Sequence, residues 1–323
     1  MNSFDPSSVS VRSAHFIGGL YRSGEPGLEV SRPSDGQAYA QLPIADAALV
    51  DEAVDNAWQA FRQSDWASRP PRERCRVLRR WAELIEADAA TLAPLESVGS
   101  TRPHKDVLAW DIPYVAEVLR FFAELADKHG GQVAATQHDR LGMQIAEPYG
   151  VIGAIAPWNF PLSMANWKVA PALAAGNAVV LKPSELTPFS ALRYAELAVQ
   201  AGLPPGIFNV VQGDGRLTGD ALCRHPRISK VTFTGSTATG SSIMAACATH
   251  GPKPVTLELG GKSPQLVFAD IPDLHKTARS VAMAITGNAG QVCVSGSRLI
   301  IERSILEPFV ECLLGHFREP VSY

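Results

Sequence analysis

The chain has 323 residues, which is enough for about two domains, and its composition excludes several classes of protein. Hydrophobic residues make up 46% and charged residues 19%, as in an ordinary globular protein, and a net charge of −3 offers no basic surface for nucleic acid. The amino-terminal segment lacks the layout of a signal peptide, and no segment is apolar for long enough to span a bilayer. We therefore expect a soluble, cytoplasmic protein with no nucleic-acid or membrane partner.

The cysteines and histidines show no familiar metal-binding pattern. The five cysteines are widely spaced without a C-x-x-C pair, and the eight histidines show neither H-x-H nor H-x-x-x-H spacing. We expect no metal site. Four cysteines fall in predicted helices and fit small buried apolar residues: Cys75, Cys223, Cys247 and Cys312.

The first 125 residues are predicted to be mainly helical after a short β-like entry. Residues 46–66 repeat apolar side chains at helical spacing, with Asp46 as the N-cap. A second amphipathic stretch covers 69–96, and a third covers 102–130 and ends at Gly130 as its C-cap. These helices are expected to cover a sheet. In the next segment, 131–150, β-prone residues flank a polar centre, which predicts a hairpin.

From Gly150 onwards, short apolar runs alternate with helical stretches. Such alternation predicts βαβ units and a parallel sheet, so the fold class is α/β. The runs predicted as strands are 151–156, 178–181, 208–211, 230–233, 254–259 and 265–269.

The segments that follow these strands carry the candidate functional residues, because ligands bind beyond the carboxyl ends of parallel strands. They are APWNFP (156–161), KPSELTP (182–188), TGSTATG (234–240) and GGKSP (260–264). Each has an ordinary explanation when taken singly. TGSTATG, for example, matches neither G-x-G-x-x-G nor a P-loop, and it equally fits a helix start capped by Ser236 or Thr237.

One cysteine stands apart from the other four. Cys293 lies in GNAGQVCVSGSR (287–298), where glycines allow the backbone to approach a ligand closely. Taken together, PWNFP, KPSELTP, FTGSTATG, LELGGKSP and GQVCVSGSR resemble the motifs of the aldehyde dehydrogenase superfamily, in the family's order.

The resemblance implies an NAD-dependent oxidation of an aldehyde to a carboxylic acid. Cys293 would be the nucleophile, and the Asn159 side-chain amide and the Cys293 N–H would hold the thiohemiacetal oxyanion. Hydride transfer to the nicotinamide would leave a thioester. Glu258 would then activate the water that hydrolyses the thioester, and it can accept a proton at working pH if partial burial raises its pKa toward neutrality. The presence of Glu258 favours a free acid over an acyl-CoA product.

The same resemblance implies the cofactor contacts. Lys182 and Glu185 would bind the adenosine ribose, and because the Glu185 carboxylate would repel a 2′-phosphate, NAD is expected over NADP. Two residues, Gly235 and Ser236, would lie against the pyrophosphate, and the backbone of Trp158 would line the adenosine side. Leu259 completes the expected contacts.

The resemblance also divides the chain. Residues 1–258 would form a Rossmann-like dinucleotide-binding domain, whose 131–150 hairpin projects and supports a homo-oligomer, and 259–323 would begin a second α/β domain, the catalytic one. Relatives usually continue for well over a hundred residues past the nucleophile, whereas 30 follow Cys293, so we expect a truncated chain. The segments DIPYVAEVLRFFAELADKHGGQVA and FADIPDL are most similar to the branch that acts on amino- and γ-glutamylamino-butyraldehydes.

Two alternatives to a working dehydrogenase stay open. One is a catalytically silent NAD-binding or interaction module of the same family. The other is a thiol esterase that uses Cys293 and Asn159 without a nicotinamide.

Overall fold

The structure, a computed structural model, describes residues 4–100 and 102–318. It divides into two compact units, 1–258 and 259–323. The elements of the first unit are β1 His15–Ile17, β2 Leu20–Arg22, β3 Pro26–Ser31, β4 Ala38–Pro43, α1 Ala47–Gln63, α2 Pro71–Ala87, α3 Ala89–Gly99, α4 His104–Asp106, α5 Ile112–Leu125, β5 Gln132–Ala134, β6 Gly142–Gln144, β7 Val151–Ile155, α6 Pro161–Ala174, β8 Ala178–Lys182, α7 Ser190–Gln200, β9 Phe208–Val210, α8 Asp220–Arg224, β10 Ile228–Gly235, α9 Thr237–Thr249 and β11 Val255–Leu259, whose last residue opens the second unit. The second unit continues with β12 Pro264–Val267, α10 Leu274–Thr286, β13 Arg298–Ile301 and α11 Leu306–Arg318.

A mixed sheet forms the centre of the first unit. Within the described residues it has seven strands in the order β11-β10-β7-β8-β9-β1-β2. The four strands β10, β7, β8 and β9 run parallel, which confirms the predicted α/β fold with a parallel sheet. Both β7 and β8 are buried along their whole length, and this explains why they are apolar without alternation up to Lys182, the last residue of β8.

The antiparallel edge made by β1 and β2 was not among the predicted strands. Each strand has only three residues, which is too short for an alternating pattern to identify it, and all three residues of β1 are buried. The chain does begin with β-strands, as predicted. They belong to the main sheet because β1 pairs with β9, a contact between distant parts of the sequence.

Helices cover this sheet as expected. Both α1 and α6 contact β7 and β8, α7 contacts β9, and α2 and α5 pack together outside α6. The side chains of Trp81, Tyr194 and Phe208 join α2, α7 and β9 in one buried aromatic cluster, where the Trp81 indole N–H donates to the Tyr194 carbonyl at 3.1 Å.

The predicted N-cap at Asp46 is confirmed, because its side chain accepts from the Leu49 N–H at 2.9 Å. The predicted C-cap at Gly130 is wrong. Helix α5 ends at Leu125, where the Lys128 N–H donates to the Leu125 carbonyl in a tight turn that closes the helix before the glycine is reached.

Residues 131–150 contain two short strands, β5 and β6, which pair antiparallel with Val133 opposite Met143. Both of these side chains are exposed, as are those of Leu141 and Ile145. Among the residues that the structure describes, no helix is both long and apolar enough to cross a bilayer.

The second unit has a small core of its own. Strands β12 and β13 pair in parallel, and α10 packs against α11. Their buried apolar residues are Val267, Ala278, Val281, Ala282, Phe309 and Leu313.

Candidate active site

A cleft of about 320 Å³ opens at the carboxyl ends of the parallel strands in the first unit. Three strands contribute lining residues at their carboxyl ends: Trp158 follows β7, Lys182 is the last residue of β8 and Gly235 is the last residue of β10. Glu185 and Ser236 also line it. Five of the six predicted cofactor-binding residues therefore share one cleft at the edge where a parallel sheet binds ligands.

Lys182 and Glu185 form an ion pair in this cleft. The Lys182 side chain is buried, and its Nζ donates to Glu185 Oε2 at 3.1 Å and to the Pro183 carbonyl at 2.9 Å. Burial lowers the pKa of the Lys182 amine, and the Glu185 carboxylate opposes this. Because Glu185 is 38% exposed, its second oxygen remains available to hydroxyl donors in the cleft.

The amino terminus of α9 provides a second polar wall. Ser236 is the N-cap, and its Oγ accepts from the Thr239 N–H at 3.2 Å, so the simple capping explanation is confirmed. The first-turn amides of this thirteen-residue helix still lie next to the cleft, where the helix dipole favours a negatively charged group. At Gly235 an added Cβ would come within 2.4 Å of the Phe233 ring, so glycine keeps this wall open.

Sequence reasoning missed other residues that line the cleft. Gly215, Gly219 and Asp220 lie in and after a π-helical turn that follows β9, and Thr239 and Ile243 come from α9. The sequence does contain a signal for the turn after β9, because the glycine-rich segment QGDG (212–215) directly follows the predicted strand 208–211. The cleft also contains Cys223, whose thiol pKa is raised to about 12 by burial, so this cysteine is a weak nucleophile.

Asn159 lies in the turn that joins β7 to α6 and is half-buried. Phe160, the residue before α6, provides no side-chain cap. Instead, Glu96 reaches over from α3 and accepts from the Leu162 N–H at 2.8 Å, which fixes the start of the helix next to Asn159.

A buried lysine on α6 was also missed. Lys168 donates from Nζ to Thr234 Oγ1 at 2.5 Å, and burial lowers its pKa to about 8, while the nearby Glu258 carboxylate opposes the shift. The signal in the sequence was that this lysine is the one charged residue of MANWKVAPALAA (164–175).

Glu258 is the fourth residue of β11, a strand at the edge of the sheet. Its side chain is exposed. Leu259 ends the same strand and is half-buried, and it is not among the described residues that line the cleft.

Cys293 belongs to the second unit, whereas Asn159 and Glu258 belong to the first. It lies in a turn in which the Ser295 N–H donates to the Val292 carbonyl at 3.1 Å, and its thiol is exposed. Gly296 follows, and an added Cβ there would come within 2.4 Å of Gln265, whose Nε2 donates to the Gly296 carbonyl at 2.8 Å. Glycine therefore allows the contact that holds the end of this loop.

A parallel α/β sheet with a cleft at its carboxyl edge, walled by a helix amino terminus and a Lys–Glu pair, defines a protein of the dinucleotide-binding kind. Comparison with known proteins makes the class specific. The chain belongs to the aldehyde dehydrogenase family, whose model matches residues 21–320.

Individual relatives agree with this assignment. The NADP/NAD-dependent aldehyde dehydrogenase PuuC of Escherichia coli strain K12 is 43% identical over 308 residues, which cover 95% of this chain and 62% of that protein. An indole-3-acetaldehyde dehydrogenase structure in complex with NAD⁺ superposes with a TM-score of 0.93 at 43% identity, covering 96% of this chain and 63% of that one. A γ-glutamyl-γ-aminobutyraldehyde dehydrogenase structure from Burkholderia cenocepacia J2315 gives a TM-score of 0.94 at 42% identity, covering 98% and 64%. The chain thus spans less than two thirds of the length of these relatives.

Proposed function

We propose that this chain carries the cofactor-binding unit and the nucleophile of an NAD-dependent aldehyde dehydrogenase that forms a carboxylic acid. The observation that carries the proposal is the cleft, which gathers Trp158, Lys182, Glu185, Gly235 and Ser236 at the carboxyl edge of the sheet. Relatives named for aldehyde oxidation support the reaction class.

The residues of the cleft fit a dinucleotide. The α9 amino terminus provides amides for a pyrophosphate, and Lys182 and Glu185 provide a donor and an acceptor for ribose hydroxyls. The solved complex of a similar protein with NAD⁺ supports the choice of cofactor. Because Glu185 presents a carboxylate where a 2′-phosphate would have to lie, we expect tighter binding of NAD than of NADP.

In the proposed mechanism, the Cys293 thiolate attacks the aldehyde carbonyl, and the Asn159 amide and the Cys293 N–H donate to the oxyanion. NAD, when bound, accepts the hydride. Glu258 removes a proton from the water that releases the acid from Cys293. We expect Lys168 to influence this last step, because the Glu258 carboxylate lies near enough to raise the pKa of the Lys168 amine.

The first experiment measures binding and turnover separately. NAD binding is followed by calorimetry, and turnover by absorbance at about 340 nm, with the product identified as acid or thioester. Cys293→Ser should abolish turnover and leave NAD affinity unchanged, whereas Glu185→Ser should narrow the preference for NAD over NADP. Glu25→Ser, at an exposed loop carboxylate outside the cleft, serves as the control for the lost charge. Equal affinity of the unmutated chain for both cofactors contradicts the assigned role of Glu185.

A second candidate is an NAD-binding module without turnover. The observation in its favour is that the cleft gathers only cofactor-binding candidates, since Asn159, Glu258 and Cys293 are not among the described residues that line it. Binding of NAD with no product from any aldehyde tested would select this candidate.

We infer amino-aldehydes as the first substrates to test. The similar Burkholderia cenocepacia structure is titled as a γ-glutamyl-γ-aminobutyraldehyde dehydrogenase, and a 43%-identical relative in Pseudomonas aeruginosa is named an aminoacetaldehyde dehydrogenase. A higher kcat/KM for an amino-aldehyde than for an unsubstituted aldehyde of equal chain length would support the inference, and the reverse order would contradict it.

We also propose that the 131–150 hairpin takes part in self-association. Val133, Leu141, Met143 and Ile145 are each more than 60% exposed, which places four large apolar side chains on one short hairpin. Sedimentation of the unmutated chain and of Met143→Lys tests this, because a lysine on the hairpin should shift the population towards monomer.

A further inference from the structure

A cluster of nitrogen and sulfur ligands lies in the second unit, outside the loop that carries Cys293. His275 stands in the first turn of α10, and Cys312 and His316 lie one turn apart on α11. Their candidate donor atoms all lie within 4.8 Å of one another. Because residues four apart share a helix face, the α11 pair points to the same side.

The packing of the two helices fixes this arrangement. Ala278 and Val281 of α10 meet Phe309 and Leu313 of α11 in a buried core, and Cys312 packs against the same core. The ligands are therefore held by rigid elements, which favours a defined coordination geometry.

The distances suit a single metal ion. A tetrahedral Zn²⁺ with ordinary Zn–S and Zn–N bonds needs its ligand atoms about 3.3–3.6 Å apart. Cys312 Sγ lies 3.0 Å from His275 Nδ1, and the remaining separations fall within 4.8 Å, so small side-chain rotations bring all three atoms to bonding distance.

We propose that His275, Cys312 and His316 form a binding site for a thiophilic divalent metal ion such as Zn²⁺. Two imidazoles and one thiolate suit Zn²⁺ and Co²⁺ and disfavour Mg²⁺ and Ca²⁺, which prefer oxygen ligands. His275 is exposed and the other two residues are half-buried, so solvent reaches the cluster and supplies the fourth ligand. The ion would tie α10 to α11 and stabilise the second unit.

Two of the three ligands form a pattern in the sequence. CLLGH (312–316) is a C-x-x-x-H pattern on a helix, and it matches neither a C-x-x-C pair nor a pair of histidines. The third ligand comes from a helix 37 residues away, and only the folded second unit brings it close.

The test uses Co²⁺ as the probe, since its charge-transfer band in the near ultraviolet reports a thiolate ligand. The protein carries Cys293→Ser throughout, because Cys293 is an exposed thiol. After treatment with a chelator, the full chain is titrated with Co²⁺ and then with Zn²⁺ in competition. We expect one equivalent of Co²⁺ to bind with a thiolate band, and Zn²⁺ to displace it and raise the thermal unfolding temperature.

Two variants locate the site, and one controls for the loss of a thiol. Cys312→Ser should remove the band, and His275→Ala should weaken Co²⁺ binding by about tenfold or more. Cys75→Ser, at a half-buried cysteine on α2, should change neither. Since His275 is exposed, its replacement tests the site even if Cys312→Ser impairs folding. Absence of the band, or unchanged affinity in His275→Ala, would overturn the proposal.

Discussion

Replacing Glu96 by glutamine is expected to change how the free energy of unfolding depends on pH. The Glu96 side chain is 2% exposed, and its carboxyl group accepts from the Leu162 N–H at 2.8 Å and from Ser190 Oγ at 2.5 Å. It is therefore the acceptor for a first-turn amide of α6, just after Asn159. A charge at this depth is costly, although the hydrogen bonds offset part of the cost.

The magnitude follows from the pKa. Burial is the largest cause, and it raises the pKa of Glu96 from 4.5 to about 7, against the hydrogen bonds from Ser190 and Leu162. The folded chain therefore keeps a proton that the unfolded chain releases near pH 4.5. Binding of this proton adds to the free energy of unfolding by its full amount below pH 4.5, and the contribution is lost as the pH rises to about 7. The shift in pKa from 4.5 to about 7 corresponds to a contribution of about 3 kcal/mol.

Urea unfolding at a series of pH values measures this effect. Glutamine keeps an acceptor for the Leu162 N–H and does not ionise, and its amide N–H donates to Ser190 Oγ, which reverses the direction of that hydrogen bond. Between about pH 5 and pH 8, we expect the unfolding free energy of Glu96→Gln to rise by about 2–3 kcal/mol relative to the unmutated chain.

Glu86→Gln is the matched control. A hydrogen bond from Arg120 lowers the pKa of Glu86, so its contribution is lost only as the pH falls below the ordinary value of 4.5. The difference in unfolding free energy between Glu86→Gln and the unmutated chain should stay constant from about pH 5 to pH 8. A constant difference for Glu96→Gln, or an equal slope in both variants, would refute the reasoning.

Two further predictions concern single backbone positions. Gly235→Ala puts a Cβ within 2.4 Å of the Phe233 ring, and because both residues line the cleft, the shift of ring or backbone that follows should weaken NAD binding, measured by calorimetry, by about tenfold or more. Gly130→Ala, where an added Cβ meets open space, is the control and should leave NAD affinity unchanged. An equal loss of NAD affinity in both variants would contradict the proposal that NAD binds in the cleft. Ala289 has a φ of +54°, so Ala289→Gly should stabilise the chain by about 0.5–1 kcal/mol in thermal unfolding. Ala284→Gly, at an exposed position within α10, should cost about 1 kcal/mol, and destabilisation by both would argue against strain at Ala289.

Much of the fold could be predicted because the central strands carry a local signal. Each of β7 and β8 begins as an apolar run and leads into a proline-containing loop, so the sequence predicts both strands and places their ends within one residue of those observed. The end of α5 could not be placed in this way. Gly130 is a good cap by type, but the chain turns at Lys128 before reaching it.

The candidate site was predicted in part. The resemblance identified five residues that line the cleft, because the segments directly after strand ends are where a parallel sheet binds its ligands. Glu96 and Lys168 were missed, since a lone charged residue in an apolar helix gives no hint of what it faces. That Glu258 lies exposed on the edge strand β11 follows from the strand order of the sheet, which no local pattern records.

The sequence by itself determined the α/β class, the family resemblance and the residue types available for chemistry, because each of these depends on local patterns and ordered motifs. The tertiary structure decided which of them meet. It placed Lys182 against Glu185 and Glu96 beneath the start of α6, and it brought His275 next to Cys312. The physical reason is that burial, pKa and ligand distance depend on side chains from distant elements, and no sequence pattern records how those elements pack.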